Sequence, residues 1–234
     1  MQPLTFTQPT ALVLIDNQVG LKHPTHWGPA RSNPSYEANT AALLEAFRSA
    51  RQRSPASPSK VPIHIVHVFH SSLSPDSALH PSNPEQIQPL DFATPATDGS
   101  EPVFWKCVNS SFIGTGLEAF LRENGVRQVF FAGLTTDHCV STTTRMAANL
   151  GVVNNVIYAS EVQQRVTVKP DGSHPEGVIR IDHGRVVLVA DATATFAKGG
   201  FDAETVHAVS VASLEGEFAD IFSTQDVVKA LGSV

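Results

Sequence analysis

The feature that most constrains this chain is a succession of short apolar runs rich in β-branched residues, each followed by a segment of helical period. TALVLID (10–16) reads as a buried strand that ends in a carboxylate. Residues 36–50 then place Ala41, Leu43, Leu44 and Phe47 at helical spacing. PIHIVHVFH (62–70), VFWK (103–106), RQVFFAG (127–133) and RVVLVADAT (185–193) read as further strands. Helices are expected over 115–125 and 137–150, closed by Gly125 and Gly151, and over 202–217 with Val206, Val209 and Leu214 inward. Near-continuous apolar strands alternating with helices require parallel crossovers. The pattern therefore implies an α/β fold, a doubly wound parallel sheet covered by helices on both faces.

Three stretches depart from this alternation. SPASPSK (54–60) reads as a linker, and residues 71–101, rich in Pro, Ser and Asp, read as a long loop. After Gly151 the pattern needs one strand and offers two, VIYA (156–159) and VVLVA (186–190). Residues 154–185 are therefore expected to be an insertion, a surface hairpin within a single domain spanning 1–234.

Composition limits the partners. Hydrophobic residues make up 41% of the 234, enough for one large core, and charged residues 16%. A net charge of −6 without a basic run speaks against nucleic acid and against anionic membranes. Two cysteines form no disulfide framework, the N-terminus has no basic leader, and no apolar run approaches a membrane span. The expectation is a reduced, cytoplasmic protein acting on a small molecule.

In open parallel sheets, ligands bind beyond the carboxyl ends of the strands. Asp16, Lys106 and Cys139 all fall at such ends. Each alone has a bland explanation: a turn cap, a solvated charge, a packed thiol. Together at one sheet edge they suggest a nucleophile and its partners. Cys139, in GLTTDHCVSTTT, falls in the first turn of a helix, where free amides and the dipole favour a thiolate and can hold an oxyanion. Asp16 would take the thiol proton and Lys106 would balance charge. Alternation turns Cys107 away from Lys106, and it is expected in the core. His64, His67 and His70 cannot converge as three metal ligands, because alternation sends His67 to the opposite face. His80 and His138 could lie near the pocket.

Three stretches, ALVLIDNQVG, VFWKCVNSSFIGTGLEAFL and GLTTDHCVSTTTRMAANLG, followed by VVLVADATATF, resemble the isochorismatase-like cysteine hydrolases, which include nicotinamidases and N-carbamoylsarcosine amidohydrolases. The resemblance implies a three-layer sandwich around a six-stranded parallel sheet and a triad of Asp16, Lys106 and Cys139. It also implies a cis peptide between Leu134 and Thr135 that turns the amides of Thr135 and Cys139 towards an oxyanion. Gln18, Phe112 and Thr136 fall where the family lines its substrate pocket, and relatives commonly form homo-oligomers. The metal motif of nicotinamidases is missing from HSSLSPDSALHPSNPE, so no metal or other cofactor is carried over. Isochorismatases proper cleave a vinyl ether by acid catalysis and lack the cysteine. Its retention here points to an amide, carbamoyl or ureide C–N bond cleaved through a thioester. Vinyl-ether hydrolysis and a non-catalytic binding or effector role on the same fold are the alternatives.

Overall fold

The computed structural model describes residues 3–23, 25–28, 30–53, 61–158, 162–163, 168–173 and 178–232; the expected linker at 54–60 lies outside them. The strands are β1 (Thr10–Ile15), β2 (Ile63–His70), β3 (Val103–Lys106), β4 (Gln128–Leu134), β5 (Asn155–Tyr158), β6 (Val162–Gln163), β7 (Val178–Asp182), β8 (Arg185–Ala194) and β9 (Asp220–Phe222). The helices are α1 (Tyr36–Arg53), α2 (Leu117–Glu123), α3 (Ser141–Leu150), α4 (Ala203–Ala212) and α5 (Thr224–Leu231). Among the described residues no helix is long and apolar enough to cross a membrane.

Six strands form one parallel sheet in the order β3-β2-β1-β4-β8-β9. This is the expected doubly wound arrangement. From the adjacent pair β1 and β4 the chain winds outward in both directions, so the strand order reverses between them. At such a reversal the loops leaving the two carboxyl ends diverge and open a crevice. Alternation along β1 builds both halves of the core. Ala11, Val13 and Ile15 pack with Leu117 and Leu121 of α2 and Ala147 of α3. Leu12 and Leu14 pack on the other face with Leu43, Leu44 and Phe47 of α1 and Val227 and Leu231 of α5.

The helix at 203–212 differs from expectation. Leu214, just beyond α4, is buried, but Val209 is 64% exposed and Val206 only half-buried. AETVHAVSVA is apolar on nearly every side, so its period does not single out the buried face.

Of the two strand signals after Gly151, VVLVA enters the main sheet as β8 and the earlier one, VIYA, does not. Strands β5, β6 and β7 form a separate antiparallel sheet in the order β6-β5-β7, more than the single hairpin expected. Its root is tied to the core: Val152 and Val153 are core residues and Val156 is 3% exposed. Gly184 N–H donates to Asn154 Oδ1 at 3.0 Å, and Arg185 N–H to Arg127 O at 2.8 Å.

The long segment 71–101 has no helix beyond the short 3-10 turn Asp91–Ala93, yet its backbone is well anchored. Val19 and Gly20 N–H donate to Gln88 O and Gln86 O at 2.9 and 2.7 Å, and Leu90 N–H to Asn17 O at 2.8 Å. Its far end is held by the buried carboxylate of Glu101. Arg48 donates to both Glu101 oxygens at 2.8 and 2.7 Å, while Arg51, His67 and the Ala96 amide complete the set. Burial alone would raise this carboxyl, but the Arg48 and His67 hydrogen bonds hold it far below the usual carboxylate range.

Two measurements test this architecture. Replacing 157–181 by a short Gly-Ser linker, with the Asn154–Gly184 root kept, should leave Tm within about 5 °C of the parent by thermal unfolding. A much larger loss would show that the small sheet supplies core. Glu101→Gln should cost about 3 kcal/mol at neutral pH in urea unfolding, because two guanidinium groups lose their buried partner. A carboxyl with a depressed folded pKa stabilises above its unfolded value of 4.5 and loses that contribution as pH falls. The gap between variant and parent should therefore narrow steadily below about pH 4.5.

Candidate active site

The carboxyl ends of four strands deliver four polar side chains to one point. Asp16 leaves β1 with φ +52°, Lys106 ends β3, and His70 ends β2. Cys139 lies in a π-helical turn, Thr136–Val140, between β4 and α3. Lys106 Nζ donates to Asp16 Oδ2 at 2.6 Å and to Cys139 Sγ at 3.3 Å, and lies 3.1 Å from His70 Nδ1. The three residues singled out in the sequence thus meet around one ammonium.

His70 was missed as a member of this group. Alternation correctly separates it from His67, which turns to the other face and bonds Glu101. The missing signal is register: His70 pairs directly with Lys106 across the parallel β2–β3 ladder, which puts both side chains on one face at one strand end.

Charge in this cluster is set by burial and by two ions. Burial would lower the Lys106 pKa, but the Asp16 carboxylate and Cys139 outweigh it and the net direction is up. Lys106 is therefore an ammonium. Burial pushes the Cys139 thiol up, the Asp16 charge pushes it further, and Lys106 offsets only part of this. The balance at Cys139 runs towards the neutral thiol, the opposite direction from the thiolate expected from helix position. Amides and dipole at the turn do not overcome desolvation and a carboxylate close by. Burial and then Lys106 lower His70, so it is neutral at pH 7. Asp16 Oδ1 is buried and has no hydrogen-bond partner among the described residues, which leaves a carboxylate lone pair open to a proton.

Asp16, His70 and Cys139 offer donor atoms within 4.8 Å of one another, spacing that could suit a metal ion. The Lys106 ammonium is hydrogen-bonded to all three residues, and a divalent ion there would face a full positive charge at contact distance. The donor set is already serving a cation.

A cavity of about 590 Å³ opens over this cluster. Asp16, His70, Thr135 and Cys139 line it at the strand ends, and Ser72, Ser74 and Ser77 line it from the long loop. Trp27, Leu134 and Phe196 supply apolar wall, with the Trp27 and Phe196 rings stacked at 6.4 Å. His138 lines it too, whereas His80 is not among its lining residues and bonds Ser82. No described residue of 154–185 lines it. The Leu134–Thr135 peptide is cis, as the resemblance implies. The Thr135 N–H donates to no protein acceptor among the described residues.

The three residues expected to line the pocket are placed elsewhere. Gln18 is fully buried and its amide is spent on the backbone of His70 and Ile87. Phe112 packs in the core beneath α2, and Thr136 is buried against Thr193 and His207. Cys107 does turn away from Lys106, but it is exposed rather than in the core, because β3 is an edge strand with few neighbours outside it.

A parallel sheet with this site at its switch point is an α/β arrangement of the isochorismatase-like kind, and comparison with known proteins agrees. The Isochorismatase domain family matches residues 10–169, and the chain belongs to the isochorismatase family of hydrolases. It is 32% identical over 228 residues to the uncharacterized isochorismatase family protein YrdC of Bacillus subtilis, covering 93% of this chain and 94% of that one. An isochorismatase-family protein of known structure from Chromobacterium violaceum is 32% identical, with a TM-score of 0.73 and full coverage of both chains. A cysteine hydrolase from Pseudomonas syringae pv. phaseolicola shares the fold, at 19% identity and a TM-score of 0.65, with 100% of this chain and 96% of that one covered.

The charge state of Cys139 has a direct readout. Alkylation requires thiolate, so iodoacetamide at pH 7.5 should modify exposed Cys107 first and leave Cys139 largely unmodified. Peptide mass spectrometry over a time course measures the order. Faster labelling of Cys139 would mean that its thiol is ionised at rest.

Proposed function

We propose that this enzyme hydrolyses a C–N bond of a small amide, carbamoyl compound or ureide through a thioester on Cys139. The observation that carries this reading is the Lys106 ammonium bridging the Asp16 carboxylate and the Cys139 sulfur at 2.6 and 3.3 Å. A thiol held beside both a base and a cation is equipped for nucleophilic attack. Acid-catalysed cleavage of a vinyl ether needs no such sulfur.

In the free enzyme the proton stays on sulfur. With substrate bound, Asp16 takes it, its unpartnered Oδ1 being the open acceptor. The sulfur then gains full charge beside Lys106, whose attraction compensates as Asp16 is neutralised. Attack on the substrate carbonyl places an oxyanion near the amides of Thr135 and Cys139. Collapse breaks the C–N bond, and Asp16 returns the proton to the leaving nitrogen. Water, deprotonated by the same carboxylate, hydrolyses the thioester, giving the acid and the free thiol. Net charge around the nucleophile changes little at any step, which suits a buried site.

Cys139→Ala should abolish turnover of any amide substrate while the melting profile stays close to the parent. Asp16→Asn should lower kcat about 100-fold or more, the scale for a lost general base. Lys106→Ala should be comparably severe. Acid-quench mass spectrometry during turnover should show an acyl adduct on Cys139 that hydroxylamine removes. Near-normal activity in Cys139→Ala would refute the thioester and bring vinyl-ether cleavage forward, with Asp16 as the acid.

A further inference from the structure

His70 completes the set of groups around Lys106, and the thioester chemistry above makes no use of it. An ammonium has three N–H donors and no lone pair. Lys106 Nζ has three neighbours at hydrogen-bond distance: Asp16 Oδ2, Cys139 Sγ and His70 Nδ1. Each must present a lone pair, so Nδ1 carries no hydrogen. Reversing the polarity would require a neutral lysine amine, and a buried amine 2.6 Å from a carboxylate stays charged. Protonating both imidazole nitrogens would set a second cation against the first, in a half-buried site where desolvation already opposes it. The hydrogen of a neutral His70 is therefore on Nε2.

The backbone of this histidine is fixed as well. Gln18 Nε2 donates to His70 O at 2.9 Å and to Ile87 O at 2.9 Å, while His70 N–H donates to Gln18 Oε1 at 2.8 Å. The Nε2 side of the ring has no protein partner among the described residues, and His70 lines the cavity. It is not among the buried polar atoms left unpaired, so it is open to whatever enters. One imidazole nitrogen lies within 4.8 Å of Cys139 Sγ. A carbonyl carbon poised for attack sits about 3–3.5 Å from the sulfur. Nε2 lies no more than one ring's width beyond that distance, so an atom meeting Nε2–H can sit a bond or two from that carbon.

We propose that His70 is a specificity-determining residue, locked by Lys106 as the Nε2–H tautomer, which selects substrates carrying a hydrogen-bond acceptor within two bonds of the carbon that Cys139 attacks. The identity of that carbon rests on the thioester reading; the tautomer does not. A neutral imidazole donates a hydrogen bond without giving up its proton at neutral pH, so His70 recognises and Asp16 transfers. Compounds that fit include α-oxo amides, oxamates and carboxamides of 2-aza heteroaromatic rings. A substrate with only C–H at that place leaves the donor unpaired in a confined site and is disfavoured.

The test has a spectroscopic arm and a kinetic arm. In full-length protein labelled with 15N-histidine at pH 7.5, the spectrum should show His70 as the Nε2–H tautomer with an unprotonated Nδ1. The assignment comes from the signal lost in His70→Phe. Lys106→Met should release the lock and yield a tautomer mixture. An Nδ1–H tautomer, or an imidazolium, in the parent overturns the proposal whatever the enzyme hydrolyses. The kinetic probes are picolinamide and benzamide, which differ by one ring nitrogen two bonds from the carbonyl carbon. The parent should favour picolinamide about tenfold in kcat/KM. His70→Phe should bring the ratio to about one, and His70→Gln, which keeps an N–H near the Nε2 position, should retain most of the preference. A parent ratio near one, with the His70 signals unmoved by picolinamide, overturns the selection. If picolinamide shifts the Nε2 signal but neither amide is cleaved, the donor stands and the C–N hydrolase reading falls.

Discussion

The ammonium of Lys106 is the interaction on which the rest of the site depends. A lone cation away from water costs several kcal/mol or more, and it persists only with partners in good geometry. Here the partners come from three other strand ends: Asp16 after β1, His70 of β2 and Cys139 after β4. None of them is near Lys106 in sequence, so the ammonium is satisfied only when the sheet is assembled in register. In turn it orders each partner. It pairs with the carboxylate, takes Nδ1 of the imidazole as an acceptor, and lies against the sulfur. The site is thus electrically neutral at rest and polar in its parts.

Close approach of two strands makes that geometry possible. Gly133 of β4 lies at φ +128°, and a Cβ there would meet Ile15 O at 2.0 Å. Only glycine lets β4 lie against the end of β1 at this point. The approach brings the Leu134–Thr135 peptide to the same edge as Asp16, next to the turn that carries Cys139. On the other side of β1, the buried amide of Gln18 joins the exits of β1 and β2 by two hydrogen bonds, much as a further rung of the ladder would. The long loop then lies over the crevice, tied by backbone bonds to the chain after β1 and by Glu101 to α1 and β2.

What could be read in advance follows from which forces are local. Five of the six strands of the main sheet were legible because each is a mostly apolar run, and their carboxyl ends pointed to Asp16, Lys106 and Cys139; β9, only Asp220–Phe222, is too short to carry such a signal. His70 was not, because alternation tells which face a residue takes but not which neighbour it meets across the ladder. Gln18, Phe112 and Thr136 were assigned to the pocket by family position, which is blind to the bonds a side chain makes once buried. The side of the strand was right for Cys107, but its burial depended on β3 being an edge, a property of sheet order. Helix position favoured a thiolate at Cys139, and burial, together with a carboxylate from the far side of the sequence, pushes the other way. Val209 shows the same limit on a helix, since an apolar run without a polar side has no face to declare.

The strand order also has a consequence for the way the chain is made. QVFFAGL, the whole of β4, is buried along its length, and β1 covers only one of its edges. The other edge waits for β8, which follows α3 and the whole of the small antiparallel sheet. At ribosomal speeds that interval is on the order of several seconds. Throughout it, a nascent chain that already holds all four polar residues of the site presents a bare, apolar, hydrogen-bond-hungry strand to its surroundings. Such an edge invites pairing with other chains. From the end of β4 until β8 is made, sheet closure therefore competes with self-association of the nascent chain.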